Sequence, residues 1–144
     1  MHTIKSRGFT LIEMLVVLVI IGLLAGLVGP RLFGHVDTSK IQTAKTQIKM
    51  LKGALDAMRL DIGRYPTQSE GLALLDNAPQ DEKLKSLWHG PYLEEALPQD
   101  PWGNPYQYSI PGTNGQAFAL YSFGADGKRG GEGNDADIGY LPAQ

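Results

Sequence analysis

An apolar stretch near the N-terminus, from Arg7 to Pro30, limits what this chain can fold into more than any other feature. Between Met14 and Val28 every residue is apolar or glycine, and Glu13 is the single charge between Phe9 and Pro30. A helix rises about 1.5 Å per residue, so Phe9 to Pro30 would extend about 33 Å. The hydrocarbon core of a bilayer is about 30 Å thick. The stretch therefore predicts a membrane-spanning helix over residues 9–30.

A cleaved secretory signal is the competing interpretation, because the strictly apolar run is shorter than the usual ~18 residues. The best cleavage candidate, Leu23-Leu24-Ala25, has a bulky residue at the first of its three positions. The apolar region of a signal peptide should also contain no charge such as Glu13. A mature N-terminus near Gly26 would be the mark of this alternative.

Glu13 needs an explanation of its own, because a carboxylate at membrane depth costs about 2.5–3.5 kcal/mol and normally has a partner. One explanation is a side chain near the interface that reaches water. The other depends on Phe9, four residues earlier: a cut after Gly8 would create an α-ammonium there. Glu13 of one subunit could then pair with the ammonium of a neighbour, so that neither charge stays alone in lipid.

The residues around this point, Lys5-Ser6-Arg7-Gly8-Phe9-Thr10-Leu11-Ile12-Glu13, resemble the cleavage and methylation motif of type IV prepilins and pseudopilins. In that class a prepilin peptidase cuts after the glycine and methylates the new N-terminal phenylalanine. The resemblance implies that residues 1–8 are a cleaved leader, that Phe9 is N-methylated and that Glu13 is the assembly carboxylate. It also implies a cytoplasmic N-terminus and a periplasmic globular domain at residues 31–144. The flanking charges alone barely favour either orientation, so this placement depends on the resemblance.

Apolar residues recur at helical spacing after Pro30, and lysines occupy the opposite face. The pattern predicts an amphipathic helix over residues 31–62 that continues the membrane helix, ends at Gly63 and packs on a C-terminal sheet. The run is under four heptads, which disfavours a coiled coil. Pro30 lacks an N–H, so we expect a kink or local melting at Gly26–Pro30. The stripe comprises Ile41, Ala44, Ile48, Leu51, Leu55, Met58 and Ile62.

Most of the 18 glycines and nine prolines lie after residue 60, so residues 63–144 are expected to be rich in loops. Ser69–Leu75 predicts a short helix, and the polar segment Asn77–Lys85 predicts a surface loop. Strand and turn signals predict a hairpin built from Gln107–Ile110, the turn Pro111–Gly115 and Ala117–Phe123. The predicted fold class is α+β and type IV pilin-like, with a long N-terminal helix packed on a hairpin or small three-stranded antiparallel sheet.

The order of RYPT, EGL, LPQDPWGNPY, SFGADG and DADIG resembles the major pseudopilin family of type II secretion systems over nearly the whole chain. Many type IV pilins close their C-terminal loop with a disulfide, but this chain has no cysteine. The resemblance implies a calcium-binding loop in place of the disulfide.

The stretch Gly124–Gly139 is acidic and rich in glycine, which suits an ion that takes six to eight oxygen ligands. Its residues alone allow either a solvated turn or a calcium site, and Lys128 and Gly130 exclude an EF-hand pattern. With the resemblance, we predict Ca²⁺ bound by five groups. The predicted ligands are the backbone oxygens of Phe123 and Lys128 and the carboxylates of Asp126, Asp135 and Asp137. Glu132 is an alternative to Asp135 and Asp137.

The resemblance implies a structural protein and no enzyme: a pseudopilin of the inner membrane that polymerises into a periplasmic filament and drives folded proteins across the outer membrane. The implied partners are other copies, minor pseudopilins, an inner-membrane platform protein, a cytoplasmic ATPase, the prepilin peptidase, an outer-membrane secretin and the exported proteins. No lysine or arginine cluster indicates nucleic acid, and loss of the leader would change the net charge from −2 to −4. The alternatives are a type IV pilin or competence pseudopilin, and a membrane-anchored, calcium-dependent periplasmic enzyme.

Overall fold

A computed structural model describes residues 8–143, apart from the side chains of residues 30–34. The long helix α1 (Leu11–Ile62) is followed by a 3-10 helix (Gly71–Leu75) and the short helix α2 (Glu82–Leu87). Three strands follow: β1 (Gln107–Ser109), β2 (Ala119–Ser122) and β3 (Ile138–Tyr140). Two further 3-10 turns lie between these strands, at Thr113–Gly115 and Gly133–Asp135. The chain divides into two compact units, the first ending at Asp37 and the second beginning at Thr38.

The first unit holds the apolar part of α1. Its segment Leu11–Gly29 has 19 residues and a mean hydropathy of 2.9, and it is the one described segment long and apolar enough to cross a membrane. None of its side chains is buried within the structure. This segment agrees in length and composition with the predicted membrane helix.

The helix continues through Pro30 without interruption, so the predicted local melting near Gly26–Pro30 is wrong. A proline removes one hydrogen bond from a helix, and the intact turns on both sides can carry the helix past that gap. The alternative expectation, a kink, stays a prediction. The predicted end is confirmed: Gly63, with φ 88°, follows Ile62 and donates its N–H to the Arg59 carbonyl at 2.8 Å. A left-handed glycine in this position is a common helix C-cap.

The apolar stripe of α1 forms one side of the core of the second unit. Six of its seven residues are buried, and Ile41 is partly buried against them. Lys45 and Lys49, on the opposite face, are exposed. The predicted packing of the stripe on the C-terminal sheet is therefore confirmed. The other side of the core consists of Leu72, Leu74, Leu75, Tyr106, Phe118, Leu120 and Ile138.

The sheet is a three-stranded antiparallel meander in the order β1-β2-β3. The predicted hairpin is confirmed as β1 and β2, although both strands are shorter than expected. The third strand was not assigned from the sequence, because Ile138-Gly139-Tyr140 follows the acidic loop and has glycine at its centre. Ser122 pairs with Ile138, so β2 and β3 hold the two ends of the residue 123–137 loop side by side.

Part of Asn77–Lys85, predicted as a surface loop, is helical, since α2 begins at Glu82. Asp81 caps this helix: its Oδ1 accepts hydrogen bonds from the N–H groups of Lys83 at 2.9 Å and Leu84 at 3.3 Å. An aspartate in this position satisfies donors that the first turn leaves free. The polar composition concealed the helix, since none of its residues is buried.

Candidate functional site

The predicted processing site immediately precedes α1. Gly8 and Phe9 are both exposed, and 81% of the Phe9 surface is accessible. The basic residues Lys5 and Arg7 of the motif lie outside the described residues. An exposed, non-helical peptide bond is the kind of backbone that a peptidase can bind in extended form, so the geometry at Gly8–Phe9 suits cleavage.

Glu13 takes part in an N-terminal cap that the sequence analysis missed. The Glu13 N–H donates to Thr10 Oγ1, and the Thr10 N–H donates to Glu13 Oε2, both at 3.2 Å. This is a capping box, which satisfies two of the donors that a helix N-terminus leaves free. Threonine followed three residues later by glutamate was the available signal. Glu13 therefore has a local role in the uncut chain, and its predicted role in assembly stays a prediction.

The loop between β2 and β3, residues 123–137, is here called the C-terminal loop, and its backbone doubles back on itself. The Ala125 N–H donates to the Asn134 carbonyl at 3.0 Å. Gly124 has φ 76°, and a Cβ placed there would lie 2.6 Å from the Ala136 carbonyl oxygen. Only glycine permits this close approach at this φ. The doubling back that convergence of the aspartates requires is present.

The predicted carboxylates lie at different places along the C-terminal loop. Asp126 is exposed, and its Oδ1 accepts a hydrogen bond from the Lys128 N–H at 3.0 Å. Asp135 and Glu132 are exposed at and beside the 3-10 turn, whereas Asp137 is half-buried. Within residues 8–143 no three acidic, histidine or cysteine side chains come together as a metal cluster. Phe123 is half-buried after β2, and Lys128 is exposed in the loop.

The side chain of Asp137 has an oxygen that suits a cation. Its Oδ2 accepts a hydrogen bond from the Gly130 N–H at 3.0 Å. Its Oδ1 is buried and has no hydrogen-bond partner among the described residues. A buried carboxylate oxygen without a donor is costly, and carboxylate and carbonyl oxygens are the ligands that calcium prefers. A calcium ion in the loop would give this oxygen the partner that it lacks, so the chemistry of Asp137 fits Ca²⁺.

A buried polar network supports the start of the C-terminal loop, and the sequence analysis missed it too. Asp100 is 4% exposed, and its Oδ1 accepts from the N–H groups of Trp102 at 3.1 Å and Asn104 at 2.8 Å. Its Oδ2 accepts from Ser122 Oγ at 2.7 Å, and that Oγ accepts from the Gly124 N–H at 3.1 Å. The available signal was the Asp-Pro-Trp-Gly-Asn sequence, since aspartate before glycine and asparagine favours a turn closed by its side chain.

A hydrogen bond from Tyr65 and an ion pair of Arg64 hold the chain where it leaves α1. The Tyr65 hydroxyl donates to Asp56 at 2.7 Å and Lys52 pairs with the same carboxylate at 3.0 Å, which lowers the pKa of Asp56. Arg64 forms a two-pronged contact with Glu70, at 2.7 and 3.2 Å, which lowers the pKa of Glu70. These charges stabilise the folded chain and are a structural feature of the second unit.

Comparison with known proteins identifies the family. The model of the family "Type II secretion system (T2SS), protein G" matches residues 31–141, and that of the "Prokaryotic N-terminal methylation motif" matches residues 4–29. The chain belongs to the type II secretion system protein G family. Its resemblance to that family, inferred from the sequence, is therefore confirmed.

Relatives in this family correspond to nearly the whole chain. The type II secretion system core protein G of Pseudomonas aeruginosa is 49% identical over 135 residues, covering 94% of both chains. That of Vibrio cholerae is 45% identical, covering 94% of this chain and 91% of the relative. The crystal structure of the major pseudopilin from the type 2 secretion system of enterohaemorrhagic Escherichia coli aligns with a TM-score of 0.58 and 34% identity. The alignment covers 76% of this chain and 93% of the Escherichia coli chain, which confirms the α+β, pilin-like fold.

Proposed function

We propose that this chain is a major pseudopilin subunit that polymerises into the periplasmic pseudopilus of a type II secretion system and so drives folded proteins across the outer membrane. The observation that carries the proposal is the near-full-length correspondence to protein G relatives, joined to a methylation motif at residues 4–29. The comparisons give no support to a type IV pilin, a competence pseudopilin or a calcium-dependent enzyme over this function.

The exposed apolar helix supports polymerisation. Within the described residues, the large side chains along Leu11–Val28 are exposed. Such a surface is stable only in lipid or against other apolar helices. We infer a single-pass subunit of the inner membrane with its second unit in the periplasm. Its partners would be other copies, minor pseudopilins, the platform protein, the assembly ATPase, the prepilin peptidase, the secretin and exported proteins.

Deletion of the gene from its native host tests the function directly. Folded proteins that normally leave the cell are expected to accumulate in the periplasm, and the wild-type gene should restore their export. Export at the normal level in the deletion strain would contradict the proposal. The same strain then serves for the variants described below.

Processing by a prepilin peptidase is tested by the mass of the N-terminal peptide from membranes of the native host. A peptide that begins at Phe9 and carries one additional methyl group is expected. A chain that begins near Gly26 would indicate an ordinary signal peptide and would overturn the filament. Retention of Gly8 would overturn cleavage by this peptidase.

Two variants separate the capping role of Glu13 from its role in assembly. Glu13→Gln can keep the capping box, because glutamine also serves at that position, but it removes the charge that would pair with the Phe9 ammonium. Thr10→Ala removes the threonine half of the cap and keeps the carboxylate. We expect filaments to be lost in Glu13→Gln and kept in Thr10→Ala, with both variants inserted in the membrane. Filament formation by Glu13→Gln would refute the ion pair.

We further propose that the C-terminal loop binds Ca²⁺ through Asp126, Asp135 and Asp137 and the backbone oxygens of Phe123 and Lys128. The ion would supply a positive charge that neutralises these oxygens and orders the loop. The support is the doubled-back backbone and the unpaired, buried Oδ1 of Asp137.

Thermal melting of the full chain in detergent, with calcium or with a chelator, tests the ion. Calcium at 100 times its dissociation constant would stabilise the fold by about 2.7 kcal/mol, which corresponds to a shift of about 10–20 °C for a domain of this size. Magnesium is the matched control, and Asp137→Asn should reduce the shift. An equal melting temperature with calcium and with chelator would refute the site.

A further inference from the structure

Two buried hydrogen bonds join Asp100, Ser122 and Gly124 at the start of the C-terminal loop. We propose that Asp100 and Ser122 are positioning residues for calcium binding by the C-terminal loop, acting through the peptide bond between Phe123 and Gly124. The inference rests on the calcium site proposed above, but it concerns residues outside the predicted ligand set. Neither residue touches the ion in this proposal.

The direction of the hydrogen bonds carries the argument. A carboxylate accepts hydrogen bonds only, so the Ser122 hydroxyl must donate its proton to Asp100 Oδ2. The lone pairs of that hydroxyl are then free to accept from the Gly124 N–H, which lies 3.1 Å away. Because Asp100 is itself held by two backbone N–H groups, its carboxylate cannot turn away from Ser122 without breaking them. The hydroxyl therefore has one preferred orientation.

That orientation determines where the neighbouring carbonyl lies. The N–H of Gly124 and the carbonyl of Phe123 belong to one planar, trans peptide unit, in which they face opposite sides. When the N–H is bonded to Ser122, the Phe123 oxygen points away from the Ser122 hydroxyl. The Phe123 oxygen is one of the predicted calcium ligands, so the buried pair presents that ligand before the ion arrives.

The turn Asp100–Asn104, here called the Asp100 turn, also lies close to the loop at Gly127. A Cβ at Gly127, where φ is 65°, would lie 3.2 Å from the side-chain nitrogen of Asn104. Asn104 closes the Asp100 turn through its N–H and its carbonyl, at 2.8 Å each. The Asp100 turn therefore lies beside the C-terminal loop at Gly127 and is linked to Gly124 through Ser122. It has the position of a scaffold that orders the ligands.

Calcium affinity of the full chain in detergent, measured by titration calorimetry, tests the proposal. Ser122→Ala removes the hydroxyl, and Asp100→Asn replaces the oxygen that faces it with a group that can donate. Both variants are expected to bind calcium about 10–100-fold more weakly, the usual effect of losing a partner that orients a metal ligand. The matched control is Ser109→Ala on β1, whose buried hydroxyl has no hydrogen-bond partner among the described residues, so its affinity should be unchanged.

A purely structural role gives a different result. In that case Ser122→Ala and Asp100→Asn would lower the melting temperature in chelator while their calcium affinities stayed at the wild-type value, and the positioning role would be overturned. Absence of calcium binding by the wild-type chain would overturn the calcium site itself and the positioning role with it. The two failures are therefore distinguishable in one set of titrations.

Discussion

Two leucines on α1 allow a direct test of how the second unit is stabilised. Leu55 is 0% exposed within the apolar stripe, whereas Leu60, five residues later on the same helix, is 88% exposed. The same change, leucine to alanine, alters helix propensity by the same small amount at both positions. Any difference between the two variants therefore reports burial.

The structure sets the size of the expected difference. Removing a buried leucine side chain costs about 2–5 kcal/mol, because apolar surface is lost from the core and a cavity remains. Removing an exposed one usually changes the free energy of unfolding by less than about 0.5 kcal/mol. One kcal/mol corresponds to about 4–8 °C in a domain of 60–100 residues. Leu55→Ala should therefore melt at least about 8 °C lower than the wild type, and Leu60→Ala within a few degrees of it.

The assay is thermal unfolding of the full chain in detergent, followed by near-ultraviolet circular dichroism at one pH and one calcium concentration. Aromatic residues of the second unit report its tertiary structure in that signal. Similar melting temperatures for the two variants would refute the assignment of the stripe as the core-facing side of α1. A larger loss in Leu60→Ala would reverse the assignment.

Two further predictions concern pH. The ion pair with Arg64 lowers the pKa of Glu70 in the folded chain. The pair therefore stabilises the fold at pH values above about 4.3, the pKa of the carboxyl group in the unfolded chain. This stabilisation is lost as the pH falls through the lower pKa of the folded chain. Glu70→Gln should therefore be less stable by about 1 kcal/mol at pH 7, since the pair is partly exposed, and close to the wild type near pH 2 in denaturant titrations. Burial raises the pKa of Tyr108 to about 12, and its hydroxyl donates to the Pro66 carbonyl at 2.7 Å. This hydrogen bond stabilises the fold below pH 10, and its contribution is lost as the pH rises towards 12. The free energy of unfolding of Tyr108→Phe should therefore fall less than that of the wild type between pH 10 and 12. Identical falls in the two proteins would contradict the stabilising role of the Tyr108 hydroxyl.

Local patterns explain why much of the fold could be predicted. The helical spacing from Ile41 to Ile62 and the turn signals between the first two strands lie within short, continuous segments. The strand β3 has no such pattern, because three residues with glycine at the centre give no alternation. The helix α2 was missed because it has only six residues and its clearest signal is the single cap at Asp81.

The functional residues divide in the same way. Gly8, Phe9 and Glu13 belong to one continuous motif, so the sequence alone predicts their roles. The contact between Asp100 and Ser122 joins residues 22 positions apart and exists only after the sheet has formed. Glycines after Gly124 decide how the aspartates of the loop lie, and the sequence does not specify the dihedral angles that each glycine adopts.

The antiparallel pairing of β2 with β3 has a consequence for how this family can vary. Ser122 and Ile138 are partners in the sheet, so the ends of the loop are already together before anything orders its interior. The entropy of closing a flexible loop grows slowly, by about 0.6 kcal/mol for each doubling of its length. Length changes between these two strands that leave the proposed calcium ligands in place should therefore cost little, so the segment can accept a foreign peptide or an affinity tag without a change in the core.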